Sequence, residues 1–334
     1  MAGYKPKRRL SAKEYIDGIL RGDRVILSRA ITIVESNLDS DKILAKEIVQ
    51  EVLPSSGNSI RIGVTGVPGV GKSTFIEAFG KYLISQGHRV AILSIDPSSQ
   101  RSKGSILGDK TRMEELANMD EAYIRPSASG ETLGGVANKT GEAMLLCEAA
   151  GYDVILIETV GVGQSETAVH GMTDFFLLLM LAGAGDELQG IKKGIMEMAD
   201  MLVIHKADGD NVKQSELAKR QYANALHLFP ISESGWSPVV STASSYENRG
   251  IEEVWTTINK FKAQVVENGY FVENRKNQQI QWMYNNIHEE LKRLFYANPA
   301  VQSQLEALEK EIVNSVISPV KAAEIILKKF KENL

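Results

Sequence analysis

Apolar positions change their rhythm three times along the chain. From Ser11 to about Val52, Tyr15, Ile16, Ile19 and Leu20, then Ile26, Leu27, Ala30, Ile31 and Val34, recur at helical spacing on either side of "RGD" near Gly22. This predicts a helical preface, closed by the loop "LPSSGNS". From Ile60 to Leu181, and on through the next apolar run, short β-branched or apolar stretches alternate with helical ones. "IRIGVTG", "RVAILSID", "YDVILIET", "DFFLLLML" and "MLVIHKAD" read as strands of a mostly parallel sheet, with helices after Lys72, Leu133 and Val212 and one more strand at "SPVVSTAS". After Gly250 the alternation stops, and Ile251, Val254, Trp255 and Ile258 begin a helix that closes the sheet domain.

The last third is helical. Ile280, Met283, Tyr284, Ile287, Leu291 and Leu294 form one stripe, Val301, Leu305, Leu308 and Ile312 another, and Ser318-Pro319 caps a third helix through Ile325 and Phe330. Such a hairpin has little core of its own, so it packs on the sheet domain or pairs with a second copy. The expected organisation is an N-terminal helical extension over 1–56, an α/β domain over 57–264 and a C-terminal helical region over 265–334. No internal repeat or low-complexity segment interrupts it.

Composition narrows the setting. Of 334 residues 43% are hydrophobic and 24% charged, as in ordinary globular proteins, and a formal net charge of -4 gives no electrostatic case for nucleic acid or an anionic membrane as partner. Cys147 is the single cysteine, so no disulfide can form within one chain and a cytoplasmic setting is expected. "MAGYKPKRRLSAKEY" is basic, but no apolar h-region follows it, which predicts a solvated tail. "FFLLLMLAGAG" from Phe175 is too short to span a membrane and reads as a buried strand. Trp236 and the pair Tyr270 and Phe271 fit either buried packing or an interface.

"GVPGVGKS" matches G-x-x-x-x-G-K-[ST], with the required strand before it and helix after it. Gly66, Val67, Pro68, Gly69, Val70 and Gly71 would turn their backbone N–H groups on phosphate oxygens, at the positive end of the helix that opens with Lys72, Ser73 and Thr74. Lys72 is suited to span the β- and γ-phosphates and the Ser73 hydroxyl to join a Mg²⁺ shell. Two strand ends supply acids, Asp96 in "LSIDPSS" and Glu158 in "LIETVGVGQSE", where Gly161 leaves a backbone N–H free to approach a γ-phosphate.

The base is read by "HKAD". His205, Lys206 and Asp208 resemble the N-K-x-D element of GTPases, whose aspartate accepts from the ring N–H and exocyclic amine of guanine while the lysine stem lies along the base. Adenine lacks that donor pair, so Asp208 favours GTP and GDP. His205 stands in the asparagine's place, where its N–H can donate toward the base or brace the phosphate loop. Ser244, Ser245 and Tyr246 occupy the last base-contacting loop.

Together "GVTGVPGVGKST", "SIDPSS", "SILGDKTRM", "IRPSASGETLGGVA", "ILIETVGVGQSE" and "HKAD" resemble the methylmalonyl-CoA mutase-associated GTPases, the MeaB/ArgK family of P-loop proteins, from roughly Ser11 to Ile258. The resemblance implies a P-loop NTPase fold with a helical dimerisation arm. It also implies a GTPase that chaperones an adenosylcobalamin-dependent acyl-CoA mutase, gating cofactor delivery and removal as a homodimer. By the same resemblance Ser73, Asp96, Asp109 and Glu158 hold Mg²⁺ and its waters. The resemblance further implies that the loop "GAGDELQGIKKG", Gly183 to Gly194, senses the mutase, and Lys192 is expected either to steady the transition state there or to be a solvated surface charge.

The glutamine that many GTPases place after the switch glycine is here Val162, with Gln164 two residues on, so slow turnover accelerated by a partner is expected. Arg101, Arg112 and Arg125 are candidate assistants of hydrolysis. Two other functions remain open. A metallochaperone would need clustered ligands, whereas His88, His170, His205, His227 and His288 are scattered and no C-x-x-C occurs. A kinase for a small amine or amino acid would need an acceptor pocket with a general base.

Overall fold

A computed structural model describes residues 9–95, 113–126, 133–159, 164–183 and 193–333. The helical preface resolves into three helices, α1 (Ala12–Leu20), α2 (Arg24–Glu35) and α3 (Asp39–Val52). Local chemistry sets their starts. Ser11 and Glu14 close a capping box on α1, and the Asp23 carboxylate accepts from the Val25 and Ile26 amides at the head of α2. One turn therefore separates two well-capped helices.

Seven parallel strands follow: β1 (Ile60–Gly66), β2 (Val90–Ile95), β3 (Ala122–Arg125), β4 (Val154–Thr159), β5 (Phe175–Leu181), β6 (Met201–His205) and β7 (Val239–Thr242). Their order is β3-β2-β4-β1-β5-β6-β7. The central strands are buried end to end, as parallel strands covered on both faces must be. The sequence pattern predicts six of these. β3 is missed because "AYIR" is four residues long at the sheet edge and carries no extended apolar run.

Two cores flank the sheet. Ile60, Ile62 and Val64 of β1 pack with Phe75 and Phe79 of helix α4 (Lys72–Ser85) and with Phe261 of the helix Ile251–Glu267. Residues of opposite parity, Ile155, Ile157 and Phe176 among them, meet Tyr15, Leu27, Ile31 and Ile48 of α1 to α3 and the helix Leu133–Ala149. The preface thus covers one face of the sheet. Each such side chain, withdrawn from water, contributes about 1.5–3 kcal/mol before chain entropy is counted. Trp236 belongs to the first of these cores, its ring edge-on to Phe261 at 5.5 Å and its Nε1–H donating to the Asp200 carbonyl at 3.0 Å. Cys147 is buried in the second, beneath the preface helices.

By its contacts the chain forms one unit through Gln278 and a second from Gln279 to Leu334, the division falling inside the helix Tyr270–Ala297. In the second unit the helices Pro299–Val313 and Pro319–Glu332 pair around Val301, Ala322 and Ile326, with Phe295 against Phe330 at 5.1 Å. Ile280, Met283, Tyr284, Ile287, Leu291 and Leu294 are all exposed. No helix among the described residues is long and apolar enough to cross a membrane.

Candidate functional site

The site is built at the C-terminal ends of β1, β4 and β6. β1 runs directly into the loop Val67–Gly71, and α4 starts at Lys72. Gly66 admits no side chain, since a Cβ there would lie 2.5 Å from the Leu179 carbonyl oxygen of β5. Gly71 holds φ at 90° as the N-cap of α4, with the His205 ring 3.1 Å from where its Cβ would be. Val67 and Val70 point inward as anchors, and Pro68, Gly69 and Thr74 are exposed. The loop thereby turns tightly into the N-terminus of α4, the place in a fold that takes phosphate.

Lys72 donates from Nζ to the Gly66 carbonyl at 3.0 Å. Burial lowers its pKa below the usual lysine value, and the carboxylates of Glu158 and Glu166 partly restore it. Ser73 Oγ donates to Glu158 Oε1 at 3.2 Å. A hydroxyl and a carboxylate facing each other beside the phosphate loop are hard oxygen donors, the set that suits Mg²⁺ rather than a softer metal. Thr159 Oγ1 donates to Thr65 Oγ1 at 2.8 Å and ties β4 to β1 just beneath.

The other half of the site lies where β6 ends. Lys206 carries φ of 58°, a left-handed conformation costly for a side-chain-bearing residue, and Asn211 Nδ2 holds its carbonyl at 2.7 Å. From there Lys206 Nζ reaches the Gly69 carbonyl at 2.8 Å, so its stem bridges the two halves. Asp208 accepts from Ser244 Oγ at 2.6 Å, and the Arg249 guanidinium donates to the Ala207 carbonyl. His205, 2% exposed, places Nδ1 2.7 Å from the Val70 carbonyl and Nε2 2.7 Å from Ser245 Oγ, with its ring edge-on to Phe75. Its nitrogens are thus engaged by the phosphate loop and the last loop. Burial lowers its pKa from 6.5, with Lys206 adding to that, while the Val70 bond and Asp208 oppose it. Tyr246 stands 91% exposed beside them.

Asp96, Asp109, Gly161 and Lys192 lie outside the described residues, as do Arg101, Arg112 and Val162, and of Gln164 only its place at the head of the helix Gln164–His170 is described. Arg125 is bound elsewhere, its guanidinium paired with both oxygens of Glu35 at the end of α2. Glu166, Asn211 and Arg249 were not anticipated from sequence. Glu166, 1% exposed, is the one with a signal, because it closes the "GVGQSE" stretch that opens on the switch glycine, Gly161.

Comparisons with known proteins agree with this geometry. A family model described as Methylmalonyl Co-A mutase-associated GTPase MeaB matches residues 27–300. The chain is 49% identical over 312 residues to a putative GTPase of Caulobacter vibrioides, covering 93% of this chain and 95% of that one. It is 45% identical over 306 residues to the GTPase ArgK of Escherichia coli, covering 92% of each. It is 44% identical over 339 residues to the mouse protein named methylmalonic aciduria type A homolog, mitochondrial, covering 98% and 82%. Among solved structures, one described as LAO/AO transport system kinase superposes with a TM-score of 0.76 at 37% identity, covering 98% of this chain and 100% of that one.

Proposed function

The chain belongs to the family of methylmalonyl-CoA mutase-associated GTPases, MeaB, and from that premise we propose that it spends GTP to assist an adenosylcobalamin-dependent acyl-CoA mutase in loading, protecting or reactivating its cofactor. The observation that carries the nucleotide half of this reading is the continuity of the site. Lys72 and Ser73 stand at one end of a single loop, and Lys206 and His205 grip its middle from the strand that leads to Asp208. A guanine nucleotide laid along that loop puts its phosphates over the Gly69–Thr74 amides and its base against Asp208 and the Ser244–Tyr246 loop. The mutase half rests on the family's printed description and on the mouse relative's name.

In this reading Lys72 would serve the β- and γ-phosphates in place of the Gly66 carbonyl, and Ser73 and Glu158, with Asp96 and Asp109, are the residues that would hold a Mg²⁺ ion and its waters. The ion, when bound, offsets the charge that builds on the phosphates during transfer to water. Glu158 and Gly161 carry the γ-phosphate signal into the helix Gln164–His170, and Lys192 completes the site when the mutase is bound. The exposed stripe from Ile280 to Leu294 supports a homodimer built on the C-terminal helices. A cytoplasmic setting is part of the same proposal.

The test is GTP hydrolysis by the purified protein, alone and with an adenosylcobalamin-dependent mutase from the same source. The expected result is a slow, GTP-specific rate that rises several-fold with the mutase. An unchanged rate would remove the mutase assignment, and transfer of phosphate to an amine or amino acid in place of water would make the protein a kinase.

A further inference from the structure

Hydrogen-bond polarity around His205 is fully determined by its neighbours. The Val70 carbonyl can only accept, so Nδ1, 2.7 Å away, carries a proton in either charge state of the ring. In the neutral ring Nε2 is then bare, and the Ser245 hydroxyl 2.7 Å from it is the donor. Ser244 is committed in the same way, giving its proton to Asp208 at 2.6 Å while accepting from the Glu247 amide at 3.1 Å. Both serine protons point inward. The side chains left facing a base, Asp208 and Ser245, offer it acceptors alone.

We propose that His205 is a positioning residue that sets the polarity of the base site: as the neutral Nδ1–H tautomer it accepts the hydrogen bond of the Ser245 hydroxyl and leaves an acceptor-only edge that fits guanine, and once a solvent proton is added at Nε2 it donates to Ser245 and frees that hydroxyl. A protonated ring must donate from Nε2 to Ser245 Oγ. The Ser245 hydroxyl then turns outward as a donor, which suits an acceptor such as adenine N1 and opposes the N–H groups of guanine. An asparagine at position 205 offers the same pair, an N–H donor for Val70 and an oxygen for Ser245, with no proton to gain. Histidine therefore adds a pH response that a carboxamide lacks.

The charged groups acting on the ring are few. Lys206 and Asp208 lie on its own strand end, with opposing effects, while Val70, Gly71 and Phe75 on the phosphate side and Ser244 and Ser245 on the base side are uncharged. Burial keeps the ring neutral above 6.5, so the change falls on the acid side of that value. The inference rests on the placement of guanine against Asp208 proposed above.

Binding of fluorescently labelled GDP, competed by GTP and by ATP, tests it between about pH 8 and about pH 5.5. For the wild type the preference for GTP over ATP falls about tenfold across that range. His205→Ala weakens labelled GDP at every pH, and His205→Asn recovers most of that loss and shows a flat preference. A flat wild-type profile, or a His205→Asn profile that still falls, overturns the inference. Asp208→Ala separates the two levels: if it leaves guanine preference intact, the base placement itself fails, whereas if it abolishes that preference while His205→Asn still titrates, only the role of His205 is lost.

Discussion

At the start of β1 and β5, Arg275 donates from Nε and Nη2 to the two oxygens of Asp174 at 2.8 and 2.6 Å, and to the Gly57 and Ser59 carbonyls at 2.6 and 2.7 Å. Arg61 beside it makes a two-pronged bond to Glu148 at 2.9 and 3.0 Å, and Glu148 also accepts from Ser59 Oγ and the Gly57 amide. At the far ends of β1 and β4, Lys72 leans on a single carbonyl and Ser73 meets Glu158 at 3.2 Å. Both regions bury charge. At the base, burial alone would raise the pKa of Glu148, yet Arg61, Ser59 and Gly57 outweigh it and hold the carboxyl below its ordinary value. At the site burial wins, and the pKa of Lys72 is lowered. One end is closed upon itself, and the other keeps its polar groups in bonds that a ligand can replace.

The largest effect that separates the two ends should come from Lys72→Ala. Hydrolysis of GTP in single turnover is expected to fall by at least about a hundredfold, through loss of the cation on the transferring phosphate. Calorimetry of the nucleotide-free protein should show no loss of stability, because the ammonium is disfavoured where it sits. A drop in melting temperature would mean that Lys72 is structural after all.

Arg275→Ala is the mirror image. It strands Asp174 and two backbone carbonyls at a site where the paired side chains are 11% and 2% exposed, so about 3–5 kcal/mol of stability should be lost in urea titrations. Arg275→Met, which keeps the stem over Phe271, where the guanidinium carbon now lies 4.5 Å from the ring centroid, should lose less. The hydrolysis rate per folded molecule should stay within about twofold in either variant. A rate that falls with stability would show that the two ends of the sheet are coupled.

This contrast also divides what the sequence reveals from what it hides. The phosphate loop is legible because its ligands are consecutive backbone groups, which forces eight residues into one pattern, and the central strands because burial on both faces makes them continuous apolar runs. The base network is invisible. Arg275 sits in a polar helical stretch, "VENRKNQQ", that reads as a solvated face, and its partner Asp174 lies 101 residues away. The same holds within the site: "HKAD" announces Asp208, but whether His205 meets the base or the phosphate loop depends on Val70 and Ser245, 135 and 40 residues distant. Trp236 was ambiguous between core and interface for a related reason, since only Phe261 and the Asp200 carbonyl decide it.

The smallest effect concerns a flaw in the well-satisfied end. Asp200, just before β6, accepts from the Phe176 amide at 2.8 Å, yet among the described residues it has no cation within salt-bridge distance. Burial, with Asp174 adding to it, pushes its pKa up from 3.8 to about 7. Between those values the folded protein holds a proton that the unfolded chain has released, so stability falls as pH rises through that window and the full penalty is present above it. Asp200→Asn keeps an oxygen for the Phe176 amide and removes the charge. At pH about 8 the variant should therefore be more stable by about 1–2 kcal/mol, a discounted figure because the residue is not wholly shut off from water, and the gain should vanish near pH about 4. Urea titrations at the two pH values measure it directly. A gain of the same size at both would assign the effect to packing rather than to the unpaired charge.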